Sequence, residues 1–308
     1  MRNAFLSALL EIAEEDSRVV FLTGDLGFMV LEPFAERFPG RFMNVGVAEQ
    51  NMVGLATGLA EAGFIPFVYS IGTFASMRGY EFIRNGPLLH SLPVRVVGVG
   101  AGLDYGHNGI THYALEDVAI MRVQPDMTII APADPEQAVG ALRCSYDLEG
   151  PIYFRIGKAG AVVPGLNGHF ELGRLDRLRG GAEVAIIALG SMAGDAVSAG
   201  EMLAHQGIDA SVSVVSSVRP APVADLAELL AEVPYAVTVE AHYRDGGLGS
   251  LVAEVIAEQQ LGCRLARHAL AEMPREVTGT LEFMNDLYGL SAHSLAASIL
   301  AKLSPAHG

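Results

Sequence analysis

The sequence predicts an α/β chain of two consecutive domains, each built on a mostly parallel sheet with helices on both faces. Three observations carry this. Strand-like and helix-like segments alternate along most of the 308 residues. The strand-like runs are continuously apolar, as in strands covered on both sides. The alternation lapses once, between Gly157 and Gly181, and then restarts. That fits a length of two domains at roughly 150 residues each. The expected boundaries are 1–160 for the first domain, 161–181 for a connector and 182–308 for the second domain.

The chain opens with a helix over 3–15, a strand at Val19–Thr23 and the turn Gly24-Asp25-Leu26-Gly27. A short helix over 32–38 leads to a strand at Phe42–Val45 that ends at Gly46. A helix of small residues follows, running to about Gly63, with Glu49 in its first turn. Met52, Leu55, Ala56, Leu59 and Ala60 share one of its faces, and Gly54 and Gly58 leave room for another backbone to approach. Then come a strand at Ile65–Tyr69, a helix at Phe74–Arg84 and a strand at Val94–Val99, apolar except for Arg95. A polar, glycine-rich loop spans Gly100 to His112. Helices at 115–121 and 135–147 alternate with strands at 127–131 and 152–155. After the glycine-rich connector, strands are expected at 183–191, 210–215, 236–240 and 263–268, and helices at 193–205, 223–231, 248–260 and 291–302.

Composition narrows the class. A net charge of −15 argues against nucleic acid or an anionic membrane surface as partner. Hydrophobic residues make up 51% and charged residues 18%, yet no uninterrupted apolar run reaches the about 18 residues of a membrane span. The apolar surplus fits a large obligate interface, which resembles a domain core cut in half. Cys144 and Cys263 are read as buried small hydrophobes, with no disulfide framework or zinc pattern. Glu11, Glu14 and Glu15 punctuate the N-terminal segment, which reads as an amphipathic helix of a cytoplasmic protein and not as a signal peptide.

Ligands of parallel sheets bind beyond the carboxyl ends of strands. Those positions hold Gly24-Asp25, Gly46–Glu49, Ser70–Phe74, Gly100–His112 and Lys158. Singly each has an ordinary explanation: a turn acid, a helix-dipole partner, a core aromatic, loop histidines. Their co-location marks the candidate site. No GxxxxGK[ST], GxSxG, HExxH or cysteine cluster occurs, Gly98–Gly102 lacks the spacing of a dinucleotide fingerprint, and no metal set held by this chain is expected.

Several segments carry a resemblance. Val45-Gly46-Val47-Ala48-Glu49-Gln50-Asn51-Met52-Val53-Gly54 resembles the segment of transketolases and deoxyxylulose-phosphate synthases that holds the glutamate activating thiamine diphosphate. Thr73-Phe74 with Arg78-Gly79-Tyr80-Glu81 is similar to their aromatic pyrimidine pocket. Gly109-Ile110-Thr111-His112-Tyr113-Ala114-Leu115-Glu116-Asp117 is similar to their substrate-histidine motif, and Tyr153-Phe154-Arg155 to their substrate-phosphate arginine strand. Val239-Glu240-Ala241-His242-Tyr243 and Gly246-Gly247-Leu248-Gly249 resemble their C-terminal domain.

The resemblance covers a pyrimidine-binding domain and a C-terminal domain, the last two of the family's three. The GDG motif of its diphosphate-binding domain does not occur. The chain is therefore expected to be the second subunit of a split transketolase. A separate N-terminal partner subunit would hold the diphosphate and Mg²⁺, in a heterotetramer. The resemblance implies that Glu49 reaches a ring nitrogen of the aminopyrimidine, that Phe74 packs on its face, that Met77 and Tyr80 complete an apolar wall, and that Asp25 lies near the cofactor. It implies that His112 bonds the oxygens of a donor ketose and that Arg155 pairs with a substrate phosphate, with Arg78, His107 and Asn108 completing the substrate side. The implied reaction moves a two-carbon ketol unit from a small sugar or sugar phosphate to an aldehyde. Two departures stand out. Asn108 occupies a position where the family usually has an aspartate, which alters the expected sugar preference, and Met77 stands where a second stacking aromatic is usual. The alternatives are a deoxyxylulose-phosphate-synthase-like subunit, a 2-oxoacid dehydrogenase beta-type subunit, or a non-catalytic scaffold of the same fold.

Overall fold

The structure, a computed structural model, describes residues 1–303; the last residues of the expected second domain lie outside it. The first domain runs α1 (Arg2–Glu15), β1 (Val19–Thr23), α2 (Glu32–Arg37), β2 (Phe42–Asn44), α3 (Glu49–Glu61), β3 (Ile65–Ile71), α4 (Gly72–Met77), α5 (Tyr80–Ile83), β4 (Arg95–Val99), α6 (Asp117–Arg122), β5 (Thr128–Ile130), α7 (Pro135–Ser145) and β6 (Ile152–Ile156). The rest runs β7 (Asp176–Arg179), β8 (Val184–Leu189), α8 (Ala193–His205), β9 (Ala210–Val215), β10 (Ser217–Arg219), α9 (Val223–Glu232), β11 (Tyr235–Tyr243), α10 (Leu248–Glu258), β12 (Arg264–Leu270), α11 (Leu281–Leu287) and α12 (Ala292–Leu303).

Successive residues of each central strand enter different apolar layers, because side chains alternate across a sheet. Val19 and Phe21 join Phe5 and Leu9 beneath α1, whereas Val20 and Leu22 join Met52, Val53 and Ala56 of α3. Both faces are buried, which explains the unbroken apolar runs. The layer beneath α3 continues into Ala185, Ile187 and Leu189 of β8, so the two domains share one core. A further layer forms beneath α8 and α12 on the other face of the second sheet.

The first sheet has the order β10-β5-β6-β4-β3-β1-β2 and is parallel except for β10. That strand comes from the second half of the chain and adds itself to the edge of β5, where Ala131 N–H donates to the Ser216 carbonyl. The second sheet has the order β12-β11-β8-β9-β7, with only β7 antiparallel. Thus the stretch read as connector supplies a strand, β7, to the second sheet. It is fastened at other points too. Asp134 caps α7 through Gln137 N–H (2.7 Å) and also accepts from Val163 N–H (2.8 Å). Buried Gln137 donates to the His169 carbonyl and to Asp176.

Other differences have local causes. The helix expected over 74–84 breaks at Arg78-Gly79 and resumes as α5, followed by a π-helical turn at Arg84–Leu88. A Cβ at Gly79 would sit 3.0 Å from Val53 and 3.4 Å from the Glu49 carbonyl, so glycine lets this corner pack closely on α3 without displacing Val53. Gly58 faces nothing within 4 Å and Gly54 faces only the Phe82 ring, so no backbone of this chain uses the space they leave. Cys144 is exposed, correcting its reading as a core residue: it follows Arg143 on the outer side of α7. Cys263 is buried as expected. Arg95 is fully buried because its guanidinium donates to the carbonyls of Tyr146, Leu148 and Gly150, and burial pulls its pKa down to about 9. Among the described residues no helix is long and apolar enough to cross a membrane.

Glu240, at the carboxyl end of β11, is wholly buried and accepts the N–H groups of Leu248 (2.7 Å) and Gly249 (2.8 Å) at the start of α10. Burial pushes its pKa up to about 7, against the pull of those two donors. Beside it, His242 is also buried. Its Nε2 accepts from Ala119 N–H (3.3 Å) while its Nδ1 meets the Tyr243 carbonyl (2.7 Å), which fixes a neutral Nδ1–H ring. Burial lowers its pKa as well.

The raised Glu240 carboxyl binds a proton in the folded chain that the unfolded chain releases near its ordinary value of 4.5. Stability from this group is therefore complete below about pH 4.5, falls as pH rises to about 7 and is level above, a loss of up to about 3 kcal/mol. Urea midpoints measured between pH 5 and 7.5 should fall with rising pH, and Glu240→Gln should flatten that slope. An unchanged slope in the variant would assign the effect to another group.

Candidate active site

Glu49 sits at the first position of α3, immediately past the carboxyl end of β2. Its carboxylate is 3% exposed, near the positive end of the α3 dipole. Two groups hold it. Ser70 Oγ, from the end of β3, donates to Oε1 at 3.1 Å, and Arg78 Nη1 donates to Oε2 at 3.1 Å. Gly24, after β1, faces the same carboxylate: a Cβ there would lie 3.7 Å from Oε1. Three strand ends and the Gly79 corner therefore converge on one buried acid.

An aromatic cluster adjoins it. The Arg78 guanidinium lies 3.9 Å above the centroid of the Phe74 ring. Phe74 meets His112 edge-on, with ring centroids 5.4 Å apart, and His112 in turn meets Tyr105 at 5.7 Å. The Thr111 hydroxyl lies 2.9 Å from His112 Nδ1. The Lys158 ammonium stands 4.3 Å above the Tyr105 ring, and Lys158 N–H donates to Asp104. Burial pushes the Asp104 pKa up to about 6. Glu49, Arg78, Phe74, His112, Tyr105 and Lys158 thus form a continuous path along the carboxyl edge of the first sheet.

The remaining expected residues divide. Asp25 is at that edge but exposed, at a positive φ of 58°, where its carboxylate accepts from Asn44 Nδ2 (3.0 Å) and its N–H donates to Asn44 Oδ1 (3.0 Å). His107 and Asn108 are exposed on the same loop as His112. Met77 is exposed at the end of α4. Tyr80, expected on an apolar wall, is committed to packing: past the Gly79 corner it turns to α6, donating to the Ile120 carbonyl (2.7 Å) and accepting from Gln124 (2.5 Å).

Arg155 requires a correction. It is 2% exposed, and its Nε donates to Asp117 Oδ2 at 2.8 Å. Its Nη2 donates to the carbonyls of Ala114 (3.1 Å) and of Ala241 (2.9 Å) in the second domain. Burial alone would lower its pKa; Asp117 outweighs that and holds it charged. Tyr153 also donates to Asp117 Oδ2 (2.8 Å), in space left by Gly98, where a Cβ would lie 2.5 Å from the Tyr153 hydroxyl. Arg155 is thus a clasp between the domains and is not open to a substrate anion. The same segment ends at the half-buried Lys158. Ser70 and Asp117 lie within segments named from the sequence but are given no role there. Ser70 belongs to no motif, and the Asp117–Arg155 pairing spans 38 residues.

Chemically, the cluster offers a buried carboxylate beside the face of an aromatic ring, with an imidazole at the ring's edge. That set fits a flat nitrogen heterocycle which stacks and hydrogen-bonds at once. It offers no cradle for a metal: among the described residues no three His, Cys, Asp or Glu side chains are placed to hold one.

Comparison with known proteins places this geometry in context. The family model described as transketolase, pyrimidine binding domain, matches residues 1–161, and that described as transketolase, C-terminal domain, matches residues 173–295. A 6-deoxy-6-sulfo-D-fructose transketolase subunit of Clostridium sp. is 36% identical over 96% of this chain and 92% of its own length. An apulose-4-phosphate transketolase subunit of Phocaeicola vulgatus is 35% identical over 86% of each. Among solved structures, a split gene transketolase described as an inactive beta4 tetramer superposes with a TM-score of 0.90 at 36% identity, covering 98% of both chains.

The clasp reading of Arg155 makes a distinct prediction. Arg155→Met should leave the buried Asp117 carboxylate without its counter-charge and cost about 3–5 kcal/mol of stability. Adding Asp117→Leu should recover much of that loss in a denaturant titration. A single variant as stable as the parent would show that the pair does not hold the domains.

Proposed function

The chain belongs to the transketolase family, and on that premise we propose that it is the pyrimidine-binding subunit of a split, thiamine-diphosphate-dependent transketolase. The observation that carries this reading is the buried Glu49 carboxylate, linked through Arg78 to Phe74 and through Phe74 to His112. Glu49 and Phe74 would hold the aminopyrimidine, the acid at a ring nitrogen and the ring against its face. The cofactor supplies, when bound, the nucleophilic carbon that takes up a two-carbon ketol unit.

In this role Glu49 holds a proton at the ring nitrogen and moves it as the charge there changes. Its burial keeps water from competing for that proton. His112, half-buried at the edge of Phe74, bonds the oxygens of the donor ketose. Asn108, through its neutral amide, and His107, exposed on the same loop, read sugar hydroxyls by hydrogen bonds. The two relatives act, by name, on ketoses with a sulfonate and a phosphate. For this chain we assign an anionic end group to Lys158, since Arg155 is closed.

Diphosphate and Mg²⁺ are assigned to a separate partner subunit, in a heterotetramer. The exposed Val47, Leu55 and Phe82, with Phe82 against Gly54 and Gly58 open on the same helix as Leu55, supply apolar, approachable surface for such assembly.

Ketol transfer assayed with the partner subunit, thiamine diphosphate and Mg²⁺ tests the reading. The chain alone should be nearly inactive. Glu49→Gln should lower kcat at least about 10²-fold with an unchanged circular dichroism spectrum. Near-normal turnover of that variant would remove Glu49 from the chemistry, and full turnover without a partner would remove the split.

A further inference from the structure

Arg78, expected from the sequence on the substrate side, has no task in the proposed chemistry, yet it bonds Glu49 and stacks on Phe74 at once. Its guanidinium donates to Glu49 Oε2 at 3.1 Å and stacks at 3.9 Å over the Phe74 centroid. Those are the two contacts that the proposed function gives to the aminopyrimidine: a hydrogen bond to the acid and a face against the ring. A guanidinium is flat, delocalised and rich in donors, and it stacks on aromatic rings. It thus reproduces the shape of the heterocycle and, where the ring nitrogen carries a proton, its bond to the acid. Local structure brings it there. Phe74 and Arg78 are four residues apart in a helical turn, so their side chains meet. The Gly79 corner then brings that turn against α3 and Glu49.

We propose that Arg78 is a placeholder for the cofactor's pyrimidine: it caps the half-site of the free chain, and cofactor binding displaces it. This rests on the proposed role of Glu49 and Phe74. A group that stacks on the covered face of Phe74 and reaches Oε2 has to take the position of the guanidinium, because one point is shared by both contacts. The Arg78 side chain is 45% exposed, so it can swing outward at small cost, whereas Glu49 at 3% cannot. The cap also explains how a buried carboxylate beside an open aromatic face is tolerated before assembly. Its charge is paired and the ring is covered.

The test uses the purified chain and a probe that is neutral near pH 8, 4-amino-5-hydroxymethyl-2-methylpyrimidine, with affinity read by titration calorimetry. Arg78→Ala should bind it about two- to tenfold more tightly than the parent, the ion pair and the cation–π contact no longer having to be broken. Added salt should tighten binding to the parent and leave Arg78→Ala unchanged, since only the parent has an ion pair to screen. Glu49→Gln should weaken binding in either background. Equal or weaker binding by Arg78→Ala, with Glu49→Gln still weakening it, would overturn the placeholder and leave the cofactor reading standing. No binding to any of these proteins, or binding indifferent to Glu49, would overturn both.

Discussion

The fold turns on a charge that water cannot reach. Arg155 ends a central strand of the first sheet and Asp117 begins a helix beside it, and the two are paired where the second domain closes over them. A buried ion pair stabilises little by itself, because desolvation offsets most of the attraction. Its effect here is on arrangement. Arg155 also bonds a carbonyl of β11, so the pair is satisfied only when the domains meet in one orientation. The Gly100–His112 loop, which follows β4, packs on the second domain, with Gly102 close to Ala241 and Gly106 close to the Gly279 carbonyl. Arg122 acts in the same sense, reaching the Gly246 and Gly247 carbonyls across the boundary.

Much of this was legible in the sequence. The alternation of apolar runs gives the two sheets, and the helix at 193–205 and the strand at 210–215 are found at those bounds. The candidate edge was legible as well, since Glu49, Phe74 and His112 all follow strands. What was hidden depends on pairing at a distance. An arginine at a strand end reads the same whether it faces a ligand or a neighbouring acid, and only the fold shows that Asp117 claims Arg155. The polar segment Asp176–Arg179 reads as connector because β7 is an edge strand with half its side chains in water. Tyr80 is expected on an apolar wall from the resemblance alone, and past the Gly79 corner it bonds Ile120 and Gln124 instead.

The two ends of the sheet edge obey different economies. Around Glu49 the polar groups come from within 30 residues of one another and are held by tight turns. Around His112 they sit on a long loop, with aromatic rings supplying most of the contacts. Under the proposed function, fixed placement suits Glu49, and the exposed His107 and Asn108 suit a substrate that presents hydroxyls.

The strand β10 carries a consequence for the order in which the chain becomes safe from itself. Without Ser217–Arg219, β5 is a bare edge with unpaired N–H and carbonyl groups, open to strands of other molecules. The residues that shield it are made about 60 residues after β6 is complete. A nascent chain, or any fragment cut at the domain boundary, exposes this edge for as long as the rest is missing. The two halves are therefore one unit of synthesis, and the domain boundary drawn along the sequence is not a place where the molecule can be divided.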